Sequence, residues 1–237
     1  MRHAILLFSL SAAVSQDARA QLLSPPPRSQ DRVTGGGGLT YAQPLGAFRS
    51  YVKYGFGAAG NLVIRLDRQG ILGLRVDGGY VNYGSETKRA RLTSTIGDRI
   101  QVRVNTTNNI GVLGVGPQLM APRGAVRPYI NGSVGVSYFF TASSLQGTSS
   151  SQQFASTTNF DDATLHYGGG GGIVIPFRTK STPVALDIGA RYLSNGRTRY
   201  LREGGITDQP DGSIVVAPIE SRVELVTWNV GVVIGRK

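Results

Sequence analysis

The chain has 237 residues, room for one domain of ordinary size, and carries 25 Lys and Arg against 14 Asp and Glu, a formal net charge of +11. It contains no Cys, which excludes disulfides, thiolate metal sites and cysteine nucleophiles, and only His3 and His166 can supply an imidazole. No apolar run approaches the ~20 residues that a membrane-spanning helix requires, so a helical membrane protein is excluded, whereas a barrel, whose lipid face takes every second residue, is not.

In chain order, the first element is an export signal over residues 1–20. Arg2 and His3 form its basic start, Ala4 to Val14 its short apolar stretch, and Ala18-Arg19-Ala20 the small-x-small cleavage pattern. Residues 21–34 (QLLSPPPRSQDRVT) are polar and Pro-rich and read as a flexible leader. From there to residue 237 apolar and small or polar residues alternate repeatedly. Tyr54, Phe56, Ala58, Gly60, Leu62 and Ile64 share one face, with Gly55, Gly57, Ala59, Asn61, Val63 and Arg65 on the other. A period of two means strands. Carried along the chain, it predicts eight, at about 35–43, 53–66, 70–83, 100–120, 128–141, 164–177, 183–194 and 223–235. No stretch of useful length has a helical period, so the fold class is all-β.

The connections sort by length. RLDRQG (65–70), APRGAVRP (121–128) and RTKSTP (178–183) are short, whereas 84–99, 142–163 and 195–222 are long and polar, with 43–52 as the remaining outer loop. An antiparallel up-and-down transmembrane barrel with both termini on one side produces this alternation, with short periplasmic turns and longer outer loops. Within the last long segment, Gln209-Pro210-Asp211-Gly212 between Ile206 and Ile214-Val215-Val216 predicts a hairpin.

Outward aromatics fall near the outer strand ends: Tyr54, Phe56, Tyr80, Tyr138, Phe140, Tyr167, Tyr192 and Trp228. They suit a girdle at the membrane–water boundary, while Phe177, Leu66, Leu72 and Leu119 occupy the inner level. The opposite faces carry Asn61, Arg75, Asp77, Gln118, Asn131, Ser133, Asp187, Arg191, Thr227 and Asn229 among many glycines. That face is polar and small, as the narrow interior of an eight-stranded barrel requires.

RPYINGSVGVSYF (127–139), GILGLRVDGGYVNYG (70–84) and the closing WNVGVVIG (228–235) resemble the OmpA/OmpX/OmpW-like small outer-membrane β-barrel domains, over about 35–237. The resemblance implies eight strands, a periplasmic N-terminus, insertion by the outer-membrane assembly machinery and residence in a Gram-negative-type outer membrane. One departure is the end of the chain: such barrels commonly close on an aromatic residue, and this one ends Ile234-Gly235-Arg236-Lys237.

Four groups of residues could carry chemistry. His166, near the outer end of the sixth strand, has no serine two residues away and reads as a polar rim residue. Arg75 and Asp77, and Asp187 and Arg191, have alternate-residue spacing, which turns each pair inward. They come from strands on opposite sides of the barrel, so the arginines are expected to meet opposing carboxylates in a plugged interior. The glycine runs 35–38 and 168–172 lack any phosphate-loop pattern and read as sites of close strand approach. Lys88, Arg89 and Arg91 form an outer basic cluster suited to the phosphates of lipopolysaccharide.

The sequence therefore predicts an integral outer-membrane barrel, a monomer, with a structural or interaction role at lipid or at extracellular partners. It is expected to be no enzyme, to use no cofactor or metal and to bind no nucleic acid. A narrow channel or carrier for small hydrophobic molecules and a lipid A-modifying enzyme are the alternatives.

Overall fold

A computed structural model gives the fold for residues 32–91, 101–147, 153–177, 183–209 and 214–235. The predicted signal 1–20 and nearly all of the leader 21–34 lie outside the described residues. The strands are β1 (Val33–Leu45), β2 (Gly55–Arg65), β3 (Leu72–Arg91), β4 (Gln101–Met120), β5 (Arg127–Gly147), β6 (Gln153–Pro176), β7 (Val184–Tyr200), β8 (Ile206–Asp208), β9 (Ile214–Val216) and β10 (Ile219–Gly235). Eight of them close an antiparallel barrel in the order β1-β10-β7-β6-β5-β4-β3-β2, and β8 and β9 form a separate hairpin. Closure comes from β1 against β10, in register from Thr34↔Gly235 to Leu45↔Glu224. Within the barrel proper every wall strand thus has two neighbours, whereas the outer extensions of β3 past Asn82 and of β6 before His166 are laddered on one side only.

The wall follows the alternation. Leu74 and Tyr80 face out while Arg75 and Asp77 between them face in, and Leu39 and Leu165 are about three-quarters exposed on the outer surface (76% and 75%). Tyr41 joins the predicted outer girdle, its ring tilted against Phe56 at 5.3 Å, and Tyr138 and Phe140 stack 5.4 Å apart. Phe177, Leu66, Leu72 and Leu119 are exposed near the opposite end. In the turn 65–72, the Asp67 carboxylate accepts from the backbone N–H groups of Ile71 (3.1 Å) and Leu72 (2.8 Å), and Gly70 takes a positive φ of 74°.

Two expectations are corrected. The long connections 84–99 and 142–163 are largely continuations of the wall: β3 runs to Arg91, β5 to Gly147, and β6 starts at Gln153. These extensions pair polar residue with polar residue, as in Thr106–Ser143 (2.8 Å) and Asn159–Ser143 (2.6 Å), so hydrophobic periodicity does not reveal them. The loop at 43–52 is more than a connection. It makes a 3-10 turn at Phe48–Ser50 and folds inward.

The hairpin predicted within 195–222 forms, with Ile206↔Val216 through Asp208↔Ile214. It leans on β3, where Lys88 Nζ donates to the Ile206 carbonyl (3.2 Å) and Glu86 accepts from the Gly204 N–H (3.0 Å). Protease added to intact cells should cut between β8 and β9 and spare the turn 65–72. Cleavage at the turn with the hairpin intact would invert the topology.

Candidate functional site in the barrel lumen

The lumen has three levels. At the outer end, side chains from the loop and five strands pack into an apolar plug: Phe48, Val52, Tyr83, Ile110, Phe139, Leu193, Tyr200, Val223 and Leu225. Phe48 is 1% exposed and meets Tyr200 edge-on at 5.0 Å and Tyr83 at 5.6 Å. The ring oxygens at its edge are satisfied: Tyr83 donates to the Leu201 carbonyl (3.1 Å), and Tyr200 and Ser221 share a hydrogen bond (2.9 Å). The reading of the inward face as polar throughout is therefore corrected at this level. The responsible sequence, GAFRSYVK (46–53), sits in a connection, where strand alternation gives no sign of which side chains turn in.

The middle level is ionic. The Asp77 carboxylate is approached through one oxygen, Oδ1, by Arg75 Nε at 2.7 Å and by Arg191 Nη2 at 2.6 Å, with all three side chains largely buried. Since β3 and β7 stand four places apart in the eight-strand ring, the Asp77–Arg191 bridge spans the lumen. Arg75 also donates to Gln118 (2.9 Å) and lies over the Tyr129 ring (5.5 Å). With its amide oriented to satisfy both ends, Asn131 accepts from Arg191 Nη2 (2.9 Å) and donates to the Gly170 carbonyl (3.1 Å).

Sequence spacing thus brings Arg75, Asp77 and Arg191 together. Asp187 stands apart from the expected pairing. It accepts from the Tyr129 hydroxyl at 2.9 Å, and both arginines converge on Asp77 instead. The reason is height in the wall: Arg191 and Asp187 lie two pleat repeats apart along β7, and it is Arg191 that reaches Asp77. The void beside this network is small, about 70 Å³.

His166 is also relocated. It is 3% exposed and faces the lumen, where its Nδ1 shares a hydrogen bond with Ser137 (3.0 Å), itself fully buried. Cross-strand register places Asp77, Gly114, Gly135 and His166 in one row, and a Cβ on Gly114 would stand 3.0 Å from His166 Nε2. The two glycines make room for the ring. Ser137 lies on the neighbouring strand, and spacing along one strand does not reveal such a partner. The glycine run 168–172 lies within β6, and a Cβ on Gly168, Gly170 or Gly172 would collide with the carbonyls of Tyr192, Ala190 or Ile188 on β7. Close strand approach accounts for this run.

The outer basic cluster is divided. Lys88 is held by Glu86 (3.2 Å) and the hairpin, Arg89 is exposed, and the Arg91 side chain lies outside the described residues. Lys88 follows Tyr80 by eight positions, which at ~3.3 Å per residue and a tilt of about 40° lifts it roughly 20 Å above the girdle. Closer to the girdle, exposed Arg197 and Arg222 face each other across the β7–β10 ladder. Like charges directly opposed weaken a ladder unless an anion lies between them.

The β6–β7 ladder stops at His166↔Asn195. Beyond it, five residues outward of Tyr167, Asp162 joins the strands by accepting from the Arg199 N–H (2.7 Å) and the Thr198 hydroxyl (3.1 Å). The Arg199 N–H chiefly holds its carboxyl below the ordinary aspartate value, against the opposing effect of burial. A lowered carboxyl stabilises the fold above its unfolded value and loses that contribution as pH falls through the folded value. Hydrogen exchange should therefore show the Arg199 amide protected at neutral pH and released below the normal aspartate range. In Asp162→Ala it should be unprotected throughout.

Among the described residues no cluster of His, Cys, Asp or Glu could hold a metal, and no helix is long and apolar enough to cross a membrane. The closed wall, apolar belt, aromatic girdle and filled polar interior define a small eight-stranded antiparallel β-barrel of the outer-membrane type.

No protein-family model matches the chain, and no curated protein matches it in sequence. Among solved structures it is similar to Neisserial surface protein A, at 13% identity and a TM-score of 0.44, covering 86% of this chain and 97% of that one. It is also similar to Ail, the attachment invasion locus protein of Yersinia pestis, at 13% identity and a TM-score of 0.44, covering 87% and 99%. A third is OprG from Pseudomonas aeruginosa, at 12% identity and a TM-score of 0.40, covering 85% and 94%.

Proposed function

We propose that this barrel serves the envelope through its wall and its outer hairpins rather than by passage of solutes through its lumen. The observation that carries this reading is the double closure of the interior, by the Phe48 plug above and the Arg75–Asp77–Arg191 bridge below. The role is structural and interactive. Exposed Arg89, with Arg197 and Arg222 nearer the membrane, contacts the phosphates of lipopolysaccharide, since guanidinium groups bind phosphate in fixed fork geometry. The chain is exported, inserted by the outer-membrane assembly machinery and works as a monomer, without nucleic acid. Cells lacking the protein should become sensitive to detergents and bile salts. Wild type should restore resistance, and Arg197→Gln/Arg222→Gln should restore it poorly. Full restoration by that variant would remove lipid contact from the account.

The buried Ser137–His166 pair gives the lipid A-modifying reading its one observation. It argues weakly for that chemistry, because both side chains sit inside the wall, beneath the plug, while a lipid substrate lies outside it. The protein is accordingly no enzyme in this reading, and lipid A mass spectra should be the same with wild type and with Ser137→Ala.

A further inference from the structure

The third level of the lumen is a cavity of about 420 Å³ at the end that carries both termini and the short turns, which faces the periplasm. Its volume falls within the ~300–1,000 Å³ of small-molecule sites. It is blind, because the ionic bridge and the plug close the lumen above it. Among the described residues its lining includes Arg65, Arg75, Arg123 and Arg127, together with the carboxylate of Asp187, which accepts from Tyr129. One side of the same cavity is apolar, built from Met120, Tyr129, Val174 and Ala185 with Val233 packed against them.

Arg127 is the decisive residue. Its Nε is anchored on the Ala121 carbonyl at 3.2 Å, which fixes the guanidinium at the cavity wall. Its Nη2 is buried without a hydrogen-bond partner. A guanidinium donor left unmet in this way is costly, and an anion beside the guanidinium offsets that cost. We propose that this vestibule is a binding pocket for a small amphipathic anion from the periplasmic side. Its phosphate or carboxylate group is received by Arg127 with Arg75 behind it, and its short apolar body lies against Met120 and Tyr129.

The test uses the full mature barrel in nanodiscs, followed by the side-chain Nε–H NMR signal of Arg75, which the Asp77 contact shields from exchange. Phenyl phosphate, benzoate, inorganic phosphate and benzyl alcohol are titrated in turn. A saturable shift is expected with phenyl phosphate or benzoate, and the two arms tell which anionic group is preferred. Inorganic phosphate should bind at least tenfold more weakly and benzyl alcohol not at all. Arg127→Gln, at the turn end of its strand, should weaken binding at least tenfold while keeping the barrel heat-modifiable, and Arg89→Gln at the other end should change nothing. The proposal is overturned if neither aromatic anion gives a saturable shift. It is also overturned if Arg127→Gln binds as wild type does, or if inorganic phosphate or benzyl alcohol binds as tightly as the aromatic anions.

Discussion

Asp77→Ala should destabilise the barrel by about 3–5 kcal/mol, the cost usual for removing one partner of a buried ion pair. The effect is large because one carboxylate oxygen serves two arginines, at 2.7 and 2.6 Å, and its loss leaves both cations facing each other in a narrow lumen. Asp187→Ala should cost less, about 1–3 kcal/mol, since it removes a single hydrogen bond from Tyr129. Adding Arg191→Met to Asp77→Ala should recover part of the loss, because one uncompensated charge goes with it and the two sites are coupled. Urea unfolding read by the heat-modifiable shift on detergent gels orders the three variants. If Asp77→Ala unfolds with the wild-type midpoint, the ionic bridge has no energetic role.

Phe48→Ala should cost about 3–5 kcal/mol in the stability of the plug, by loss of apolar burial and the cavity left behind. Phe48 is 1% exposed between Tyr83 and Tyr200 and is the largest side chain that the loop sends into the plug, with Val52 beside it. Backbone amides of 46–54 should lose hydrogen-exchange protection, while those of Leu113 and Val134 in the wall keep theirs. Uniform loss across the barrel would mean that the plug and wall unfold as one unit. Unchanged protection of 46–54 would mean that Phe48 does not hold the loop.

The wall was legible in the sequence because its physics is periodic. Lipid outside and a narrow polar lumen inside impose alternation on every strand, and all eight predicted segments correspond to β1–β7 and β10. Arg75 and Asp77 could be placed on one face for the same reason. What could not be read depends on register between strands. Ser137 and His166 meet because β5 and β6 align Gly135 with His166, and Asp187 meets Tyr129 instead of an arginine because of its height in the wall. The polar extensions of β3, β5 and β6 are held by side-chain and backbone hydrogen bonds with no apolar face to announce them. Phe48 lies in a loop, where an apolar residue does not show whether it turns toward lipid, solvent or the lumen.

Reconstitution of wild-type protein in a planar lipid bilayer tests the closed lumen most directly. Wild type should give no long-lived conductance steps, because the apolar plug and the Asp77–Arg191 bridge close the lumen at two heights. Steady, reproducible steps from folded wild-type barrel would contradict the account and make transport through the lumen its function.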